Sequence, residues 1–218
     1  MKLVTQTHVP VLSRFLGTLG LVAAAVVLAQ ERPALFFRED WKEIPAATPV
    51  TQDHVANPKL LLALYGPAKG GIKKSHHDQI PGDPYYIWSG ECNGNWALTL
   101  RDKTALVDLS GPAKIRWRTY QAGFRQLHVV LKLANGSWLV SDESDGASAT
   151  WHEREFKVAD LHWRKLNIDK VVEGDRVDHP DFSRVDEIGF TDLMAGGGSS
   201  ACSRLDWIEV YGKPVPRA

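Results

Sequence analysis

Two adjacent histidines, His76 and His77, precede Asp78 in the segment KKSHHDQIPGDPYYIWSG at 73–90. Imidazole and carboxylate groups can ligate a metal, exchange a proton, or hydrogen-bond a sugar hydroxyl. In an extended segment successive side chains point to opposite faces, so His76 and Asp78 share one face and His77 lies on the other. The alternation argues against a zinc site that uses both histidines. It leaves either a histidine–aspartate pair that orients an imidazole or a polar surface loop that satisfies its own backbone.

Aromatic residues are the second source of binding chemistry. The chain has eight tryptophans, and a flat indole ring can stack on the apolar face of a sugar ring. Most tryptophans of a β-sandwich are buried, and we assign Trp117 and Trp207 to the core. Trp88, at the end of the run YYIW, is the first candidate for an exposed stacking ring, and Trp138 and Trp151 follow it.

A basic surface is predicted next to these rings. The alternation in IRWRTY turns Arg116 and Arg118 outward, and the alternation in LHVVLKL turns His128 outward beside them. Arginine can bind a carboxylate or a sulfate through two parallel hydrogen bonds. The alternative is a ladder of cross-strand salt bridges, and the sequence does not choose between the two. The carboxylates available for such a ladder are Glu153, Asp186 and Glu187.

Known catalytic motifs are missing from the sequence. It contains no G-x-S-x-G, no H-E-x-x-H and no phosphate-binding glycine-rich loop, because AGGGSSA at 195–201 lacks the lysine and the following helix that such a loop requires. A carboxylate pair for glycoside hydrolysis stays open, since its separation is a spatial quantity. If the protein is an enzyme, His76 or His77 is the candidate acid or base.

The first 29 residues have the features of a secretory signal. They carry Lys2 and Arg14, no acidic residue, and an apolar run that begins at Phe15. The run is about 15 residues long, whereas a membrane-spanning helix needs roughly 20. We expect cleavage after Ala29 and a secreted or periplasmic protein. An uncleaved anchor is the alternative, and only then would a membrane be a partner.

The charge and the cysteine content limit which partners and which cellular compartment are expected. The chain has 26 Lys and Arg against 26 Asp and Glu, with no basic block, which argues against nucleic acid binding. Cys92 and Cys202 lie in turn-rich segments beyond the signal. In an oxidising compartment such a pair most often forms a disulfide, and two separate thiols are the alternative.

The remaining chain predicts an all-β fold. Residues 30–67 hold five prolines and form an extended lead-in that packs on the domain at 68–218. Short strand-like runs separated by turns predict a two-sheet antiparallel β-sandwich, and Asn135-Gly136 predicts a hairpin. The ten predicted strands are 85–88, 95–101, 105–109, 113–120, 124–133, 137–141, 151–158, 163–168, 184–191 and 204–211.

Motifs in the second half of the chain are similar to those of a known superfamily. They are GSW in one strand, W-x-x-x-x-F in the next, a strand that ends EIGF, and the closing strand LDWIEVYG. Over roughly 98–212 the chain resembles galactose-binding-like jelly rolls, which include many carbohydrate-binding modules and the complex I intermediate-associated protein family. The chain also looks similar to a group of exported bacterial proteins. The resemblance supports the fold more than the function.

The resemblance implies a sandwich that binds carbohydrate on its concave face or at loops along one edge. It also implies a structural calcium site, for which the best local match is the acid-rich turn with Asp142, Glu143 and Asp145. A solvated hairpin end is the alternative for that turn, and no other cofactor is expected. We therefore expect an exported, non-catalytic carbohydrate-binding protein, with an acidic polysaccharide as the candidate ligand. The alternatives are a glycan lyase or hydrolase and a structural or interaction protein of the envelope. The expected contact residues are Trp88, Arg116, Arg118, His128, His77 and Asp78.

Overall fold

Strands dominate the protein, for which a computed structural model describes residues 32–194 and 201–217. The predicted signal at 1–29 and most of the AGGGSSA segment lie outside these residues. Within them the strands are β1 Leu35–Glu39, β2 Leu60–Tyr65, β3 Lys73–Ser75, β4 Tyr86–Trp88, β5 Trp96–Asp102, β6 Ala105–Asp108, β7 Lys114–Gln121, β8 Leu127–Leu133, β9 Trp138–Asp145, β10 His152–Lys157, β11 Trp163–Asn167, β12 Val172–Val177, β13 Val185–Asp192, β14 Ser203–Tyr211 and β15 Lys213–Pro216. The only helical pieces in this part of the chain are three 3-10 turns, Gln52–His54, Lys69–Gly71 and Val158–Asp160.

The strands form two antiparallel sheets. The six-stranded sheet has the order β10-β7-β14-β4-β3, and β1 lies beside the second half of β14. The nine-stranded sheet has the order β12-β11-β9-β8-β13-β5-β2, and β6 with β15 joins it at β13. The predicted all-β, two-sheet antiparallel jelly-roll sandwich is confirmed, as are all ten predicted strands. The lead-in, expected to pack on the domain, supplies β1 to one sheet and β2 to the other.

Alternating side chains build the core between the sheets. In β7, Ile115 and Trp117 are fully buried while Arg116 and Arg118 are half-buried on the outer face. The predicted inward residues of β8, from Leu127 to Leu133, are buried in the same core. The period-2 patterns of these two strands were therefore assigned to the correct faces.

The two strands belong to different sheets, which corrects the predicted basic surface. β7 lies in the six-stranded sheet and β8 in the nine-stranded sheet, so their outer faces point to opposite sides of the sandwich. His128 therefore does not lie beside Arg116 and Arg118. Its Nδ1 is 2.8 Å from the main-chain oxygen of Ser141, within its own sheet. Alternation fixes the face of a strand relative to its own sheet and does not identify the sheet.

A buried carboxylate joins two parts of the lead-in. Glu39, at the end of β1, has no exposed surface and accepts hydrogen bonds from the main-chain amides of Trp41, Ala56 and Asn57 at 2.9, 2.7 and 2.9 Å. Burial raises its pKa, and these three bonds oppose that change. One side chain thus connects two segments that have no strand pairing between them here.

No helix in the described residues is long and apolar enough to cross a membrane.

Candidate functional site

A line of cationic and aromatic side chains crosses the outer face of the six-stranded sheet. Lys73 lies opposite Trp88, Trp88 opposite Arg204, and Arg204 opposite Tyr120, each on a neighbouring strand. The ring of Trp151 lies 5.8 Å from that of Tyr120. We call these five half-buried residues the transverse row. Since neighbouring strands are about 4.8 Å apart, the row extends for about 15–20 Å across the sheet.

The cations of this outer face differ in whether they have a counter-ion. Five of them contact a carboxylate within 3.1 Å; the pairs are Lys73–Glu91, Lys114–Glu155, Arg116–Glu153, Arg118–Asp206 and Arg38–Glu209. Arg204 has no salt bridge with any carboxylate of the described residues. Its guanidinium instead lies 4.8 Å from the centre of the Tyr120 ring. Arg204 is therefore a cation that the described part of the protein leaves without charge compensation.

Two donors in the middle of the row also lack acceptors. Arg204 Nη1 and Trp88 Nε1 are both buried and have no hydrogen-bond partner among the described residues. A buried donor without an acceptor costs about 1–3 kcal/mol, so such groups are uncommon and call for an explanation. The Trp88 ring itself packs against Gly90, where an added β-carbon would lie 2.0 Å from a ring atom. Trp88 is thus half-buried, and it is less open to stacking than the sequence suggested.

The predicted histidine loop reaches this face through His77. Asp83 accepts a hydrogen bond from the main-chain amide of His77 at 2.8 Å and lies 3.0 Å from its Nδ1. The hydroxyl of Tyr86 is 3.1 Å from the same nitrogen, and the Tyr86 ring lies 5.4 Å from that of Trp151. Burial raises the pKa of Tyr86, while a bond to Ser75 and the nearby Arg204 charge oppose that change. The loop therefore folds onto the arginine-bearing face, where Tyr86 contacts both His77 and Trp151 of the transverse row.

His76 points to the other side of β3, as the alternation predicted. Its Nε2 lies 3.2 Å from Asp78, and its ring stacks on Tyr85 with 4.0 Å between the centroids. The ammonium group of Lys74, which is fully buried, lies 3.9 Å from the centre of the Tyr85 ring and donates to the carbonyl of Ile44. Burial lowers the pKa of Lys74 to about 8. His76, Asp78 and Tyr85 border a cleft of about 220 Å³.

The other predicted contact residues have partners within the protein. Arg116 contacts Glu153, Glu155 and Glu209, and Arg118 contacts Asp206 at 2.6 Å, so the alternative of a salt-bridge ladder describes both. Of the three carboxylates proposed for that ladder only Glu153 takes part. Asp186 and Glu187 lie in the nine-stranded sheet, where they contact Lys132 at 3.8 and 2.9 Å.

The three carboxylates of the acid-rich turn, expected as calcium ligands, each contact side chains of the protein. Asp142 pairs with Arg164, and Glu143 pairs with His162, each at 2.5 Å. Asp145 is buried and accepts from Trp117 Nε1, while its other oxygen lies 2.8 Å from Nε2 of His152. The three carboxylates thus serve three separate sets of partners. No group of three or more His, Cys, Asp or Glu side chains in residues 32–194 and 201–217 is arranged to hold a metal ion.

The predicted disulfide is not present in the structure. Cys92 and Cys202 are both buried as free thiols. The two segments that carry these cysteines lie side by side, since the main-chain amide of Ser89 donates to the carbonyl of Ser203 at 3.1 Å. Burial raises the pKa of Cys92 to about 12, which keeps it protonated and a poor nucleophile at neutral pH.

The nine-stranded sheet bends so that its outer face is concave. Tyr65 of β2 and Trp138 of β9 are separated by three strands, about 19 Å in a flat sheet, yet their ring centroids are 4.9 Å apart. The loop after β11 also crosses to β5, where Asn95 donates to the carbonyl of Val171 at 2.8 Å. A second hydrophobic cluster fills this face; its buried members are Ala97, Val130, Val140, Leu166 and Val171. The concave face, which the resemblance implied as a ligand site, is therefore covered in part by the protein's own apolar side chains.

Sequence reasoning missed Arg204 and Tyr120, the central pair of the row. The alternation of side chains along each strand indicates that both point outward, because their neighbours Leu205 and Thr119 point inward. What the sequence lacked was the register that places the two side chains opposite each other.

No family model matches the chain, and no curated protein matches it in sequence. Among solved structures it is similar to the family 11 carbohydrate-binding module of the cellulosomal cellulase Lic26A-Cel5E of Clostridium thermocellum, with 15% identity and a TM-score of 0.46 over 79% of this chain and 97% of that one. The family 11 module from Clostridium thermocellum in complex with a β-1,3-1,4-mixed-linked tetrasaccharide has 15% identity and a TM-score of 0.45, over 81% of this chain and 100% of that one. A module of Cellvibrio mixtus lichenase 5A in complex with cellotriose has 13% identity and a TM-score of 0.35, over 69% and 97%. At these scores the fold assignment depends on the strands and sheets described above.

Proposed function

We propose that this protein binds an acidic carbohydrate along the transverse row without catalysing a reaction. The observation that carries the proposal is the uncompensated charge of Arg204, which lies between the rings of Trp88 and Tyr120. A carboxylate or sulfate on the glycan would supply the missing counter-ion through charge-assisted hydrogen bonds. The neighbouring rings would contact the apolar faces of the sugars.

Export of the protein is part of this proposal. The first 29 residues have the composition of a secretory signal, and the ligand class is extracellular. A mature protein that starts at Gln30, found by N-terminal sequencing of the secreted or periplasmic fraction, is the expected result. A retained N-terminus in the membrane fraction would support an uncleaved anchor instead.

The test uses two polymers that differ only in charge. Isothermal titration of polygalacturonate and of its methyl-esterified form compares the same backbone with and without carboxylates. We expect binding to the acid form and weaker or no binding to the ester. Because a hydrogen bond to a charged group contributes about 1.5–3 kcal/mol, Arg204→Ala should weaken the binding roughly 10- to 100-fold. A sulfated galactan is the second acidic probe, since guanidinium recognises sulfate in the same way.

Arg116→Ala is the matched control. It removes the same charge from the same face, but from an arginine that contacts three carboxylates of its own. We expect this variant to keep most of the affinity. If both variants lose affinity equally, the effect comes from the net charge of the face and not from Arg204. If no acidic polymer binds, and Arg204→Ala changes only stability, the protein is instead a structural or interaction protein.

A second candidate function is a glycan lyase or hydrolase. The observation in its favour is the orientation of His77, whose Nδ1 lies 3.0 Å from Asp83. The His77 side chain is 55% exposed, so Nε2 is free to exchange a proton. Incubation with the bound polymer followed by assays for unsaturated and reducing ends tests this candidate. Product that disappears in His77→Asn while binding is kept would establish catalysis. Binding with no product leaves the non-catalytic proposal standing.

A further inference from the structure

A second cleft opens at the end of the nine-stranded sheet, away from the transverse row. One wall is the 3-10 turn Val158–Asp160 with the start of β11, and the other is the end of β12 with the turn that follows it. Its volume is about 470 Å³. This lies in the range of small-molecule sites, about 300–1,000 Å³.

The cleft has an apolar floor. Trp163, which is buried, and Phe182, which is half-buried, line it with their ring centroids 5.3 Å apart, and half-buried Leu161 lies beside them. An aromatic floor of this kind can contact the C–H face of a six-membered sugar ring.

One polar atom in this floor has no partner. Nε1 of Trp163 is buried and lacks a hydrogen-bond acceptor among the described residues. An indole N–H is a donor only, so the missing partner must be an oxygen or nitrogen acceptor. Because the nitrogen is covered by the protein's own atoms, a ligand hydroxyl would reach it only after a shift of the Trp163 ring.

The rim of the cleft determines the charge of the ligand. Asp160 and Asp178 are exposed on opposite walls and have no salt bridge to a described residue, and the exposed Arg176, 3.7 Å from Asp142, lines the same cleft. The carboxylates accept hydrogen bonds from hydroxyl groups, and the guanidinium donates them. Because the rim carries charges of both signs, it suits a polar ligand without net charge, in contrast to the transverse row.

We propose that this end cleft is a second binding site, which takes one uncharged pyranose unit. Its hydroxyl groups donate to Asp160 and Asp178 and accept from Arg176, and its apolar face lies on Phe182. The site is independent of Arg204, which lies in the other sheet. Two sites with different ligand chemistry on one chain would let the protein hold a mixed neutral and acidic glycan more tightly than either site alone.

Nuclear magnetic resonance of the ¹⁵N-labelled protein tests the site directly. The probes are the methyl glycosides of glucose and galactose and N-acetylglucosamine, each titrated separately. The Trp163 indole resonance, assigned with Trp163→Phe, should shift with at least one probe and give a dissociation constant on the order of 1 mM, typical of weak binding of a small ligand. No shift of this resonance with any probe would overturn the proposal. An equal shift with phenol would show an apolar site and would overturn it as well.

Two variants in the same turn separate binding from folding. Asp178→Ala removes a rim carboxylate and should weaken the sugar titration several-fold. Asp181→Ala removes the same charge three residues later, from a side chain that does not line the cleft, and should leave the titration unchanged. Arg204→Ala should also leave it unchanged, so that failure of the acidic-glycan proposal and failure of the end cleft are distinguishable. If Asp178→Ala binds as well as the unmodified protein, the assigned rim contacts are wrong.

Discussion

The buried carboxylate of Glu39 gives the sharpest test of what holds the two parts of the lead-in together. Glu39→Ala removes the acceptor of three main-chain amides. Water can reach two of them in the variant, because Ala56 is exposed and Asn57 half-buried, whereas Trp41 is buried. One unsatisfied buried donor costs about 1–3 kcal/mol, and each bond exchanged for a bond to water costs about 0.5–1.5 kcal/mol. The free energy of unfolding should therefore fall by about 2–6 kcal/mol.

Urea unfolding followed by tryptophan fluorescence measures this loss from the shift of the midpoint at constant slope. Glu43→Ala is the control, since Glu43 is exposed four residues later, and it should change stability by less than about 0.5 kcal/mol. Glu39→Gln should fall between the two, because an amide oxygen in place of Oε1 keeps the bonds to Trp41 and Ala56. A loss below about 1 kcal/mol for Glu39→Ala would refute the argument that this carboxylate joins the end of β1 to the segment before β2.

Three further predictions concern the core, the pH dependence and the cysteines. Gly189→Ala should lower the free energy of unfolding by about 3 kcal/mol or more, because the added β-carbon would lie 1.9 Å from a main-chain oxygen of the neighbouring strand. Gly70→Ala is the control: its β-carbon would meet open space, and the free energy of unfolding should hardly change. Thermal or urea unfolding measures both. For Asp102, burial raises the pKa, but bonds from a hydroxyl and two main-chain amides outweigh it and leave the pKa lowered. The stabilisation by ionised Asp102 is therefore complete above the ordinary carboxyl pKa of about 4 and is lost as pH falls through the lowered pKa. Asp102→Asn should consequently lose less stability than the unmodified protein when the pH is lowered below about 4. An equal loss in both proteins would contradict this. Cys92 and Cys202 should both resist alkylation in the native protein and both react after unfolding without reductant; thiols that appear only after reduction would show the disulfide that the sequence predicts.

The strands were predictable because their signals are local. Alternation placed Ile115 and Trp117 inside, and Asn135-Gly136 marked the hairpin between β8 and β9. β12 and β15 were missed for the same reason. β12 is exposed along almost its whole length, and β15 contains two prolines at the edge of its sheet, so neither has the apolar alternation that identifies a half-buried strand.

Contacts between strands far apart in sequence were not predictable. The basic surface was assembled from β7 and β8 because they are consecutive, yet the chain changes sheet between them. Side-chain period is a property of one strand, whereas sheet membership depends on the packing of the whole domain. His128 was consequently assigned to the wrong surface, and Asp186 and Glu187 to the wrong arginines.

Register also decides which cation of the outer face remains available to a ligand. Arg116 lies opposite Glu155 on one neighbouring strand and Glu209 on the other. The strand pairing therefore gives this arginine its counter-ions. Arg204 lies opposite Trp88 and Tyr120, and the same pairing gives it aromatic neighbours and no counter-ion. Arginines that are alike in sequence thus acquire different chemistry from the strands beside them. The proposed anionic ligand would be attracted to Arg204, whose charge has no counter-ion among the described residues.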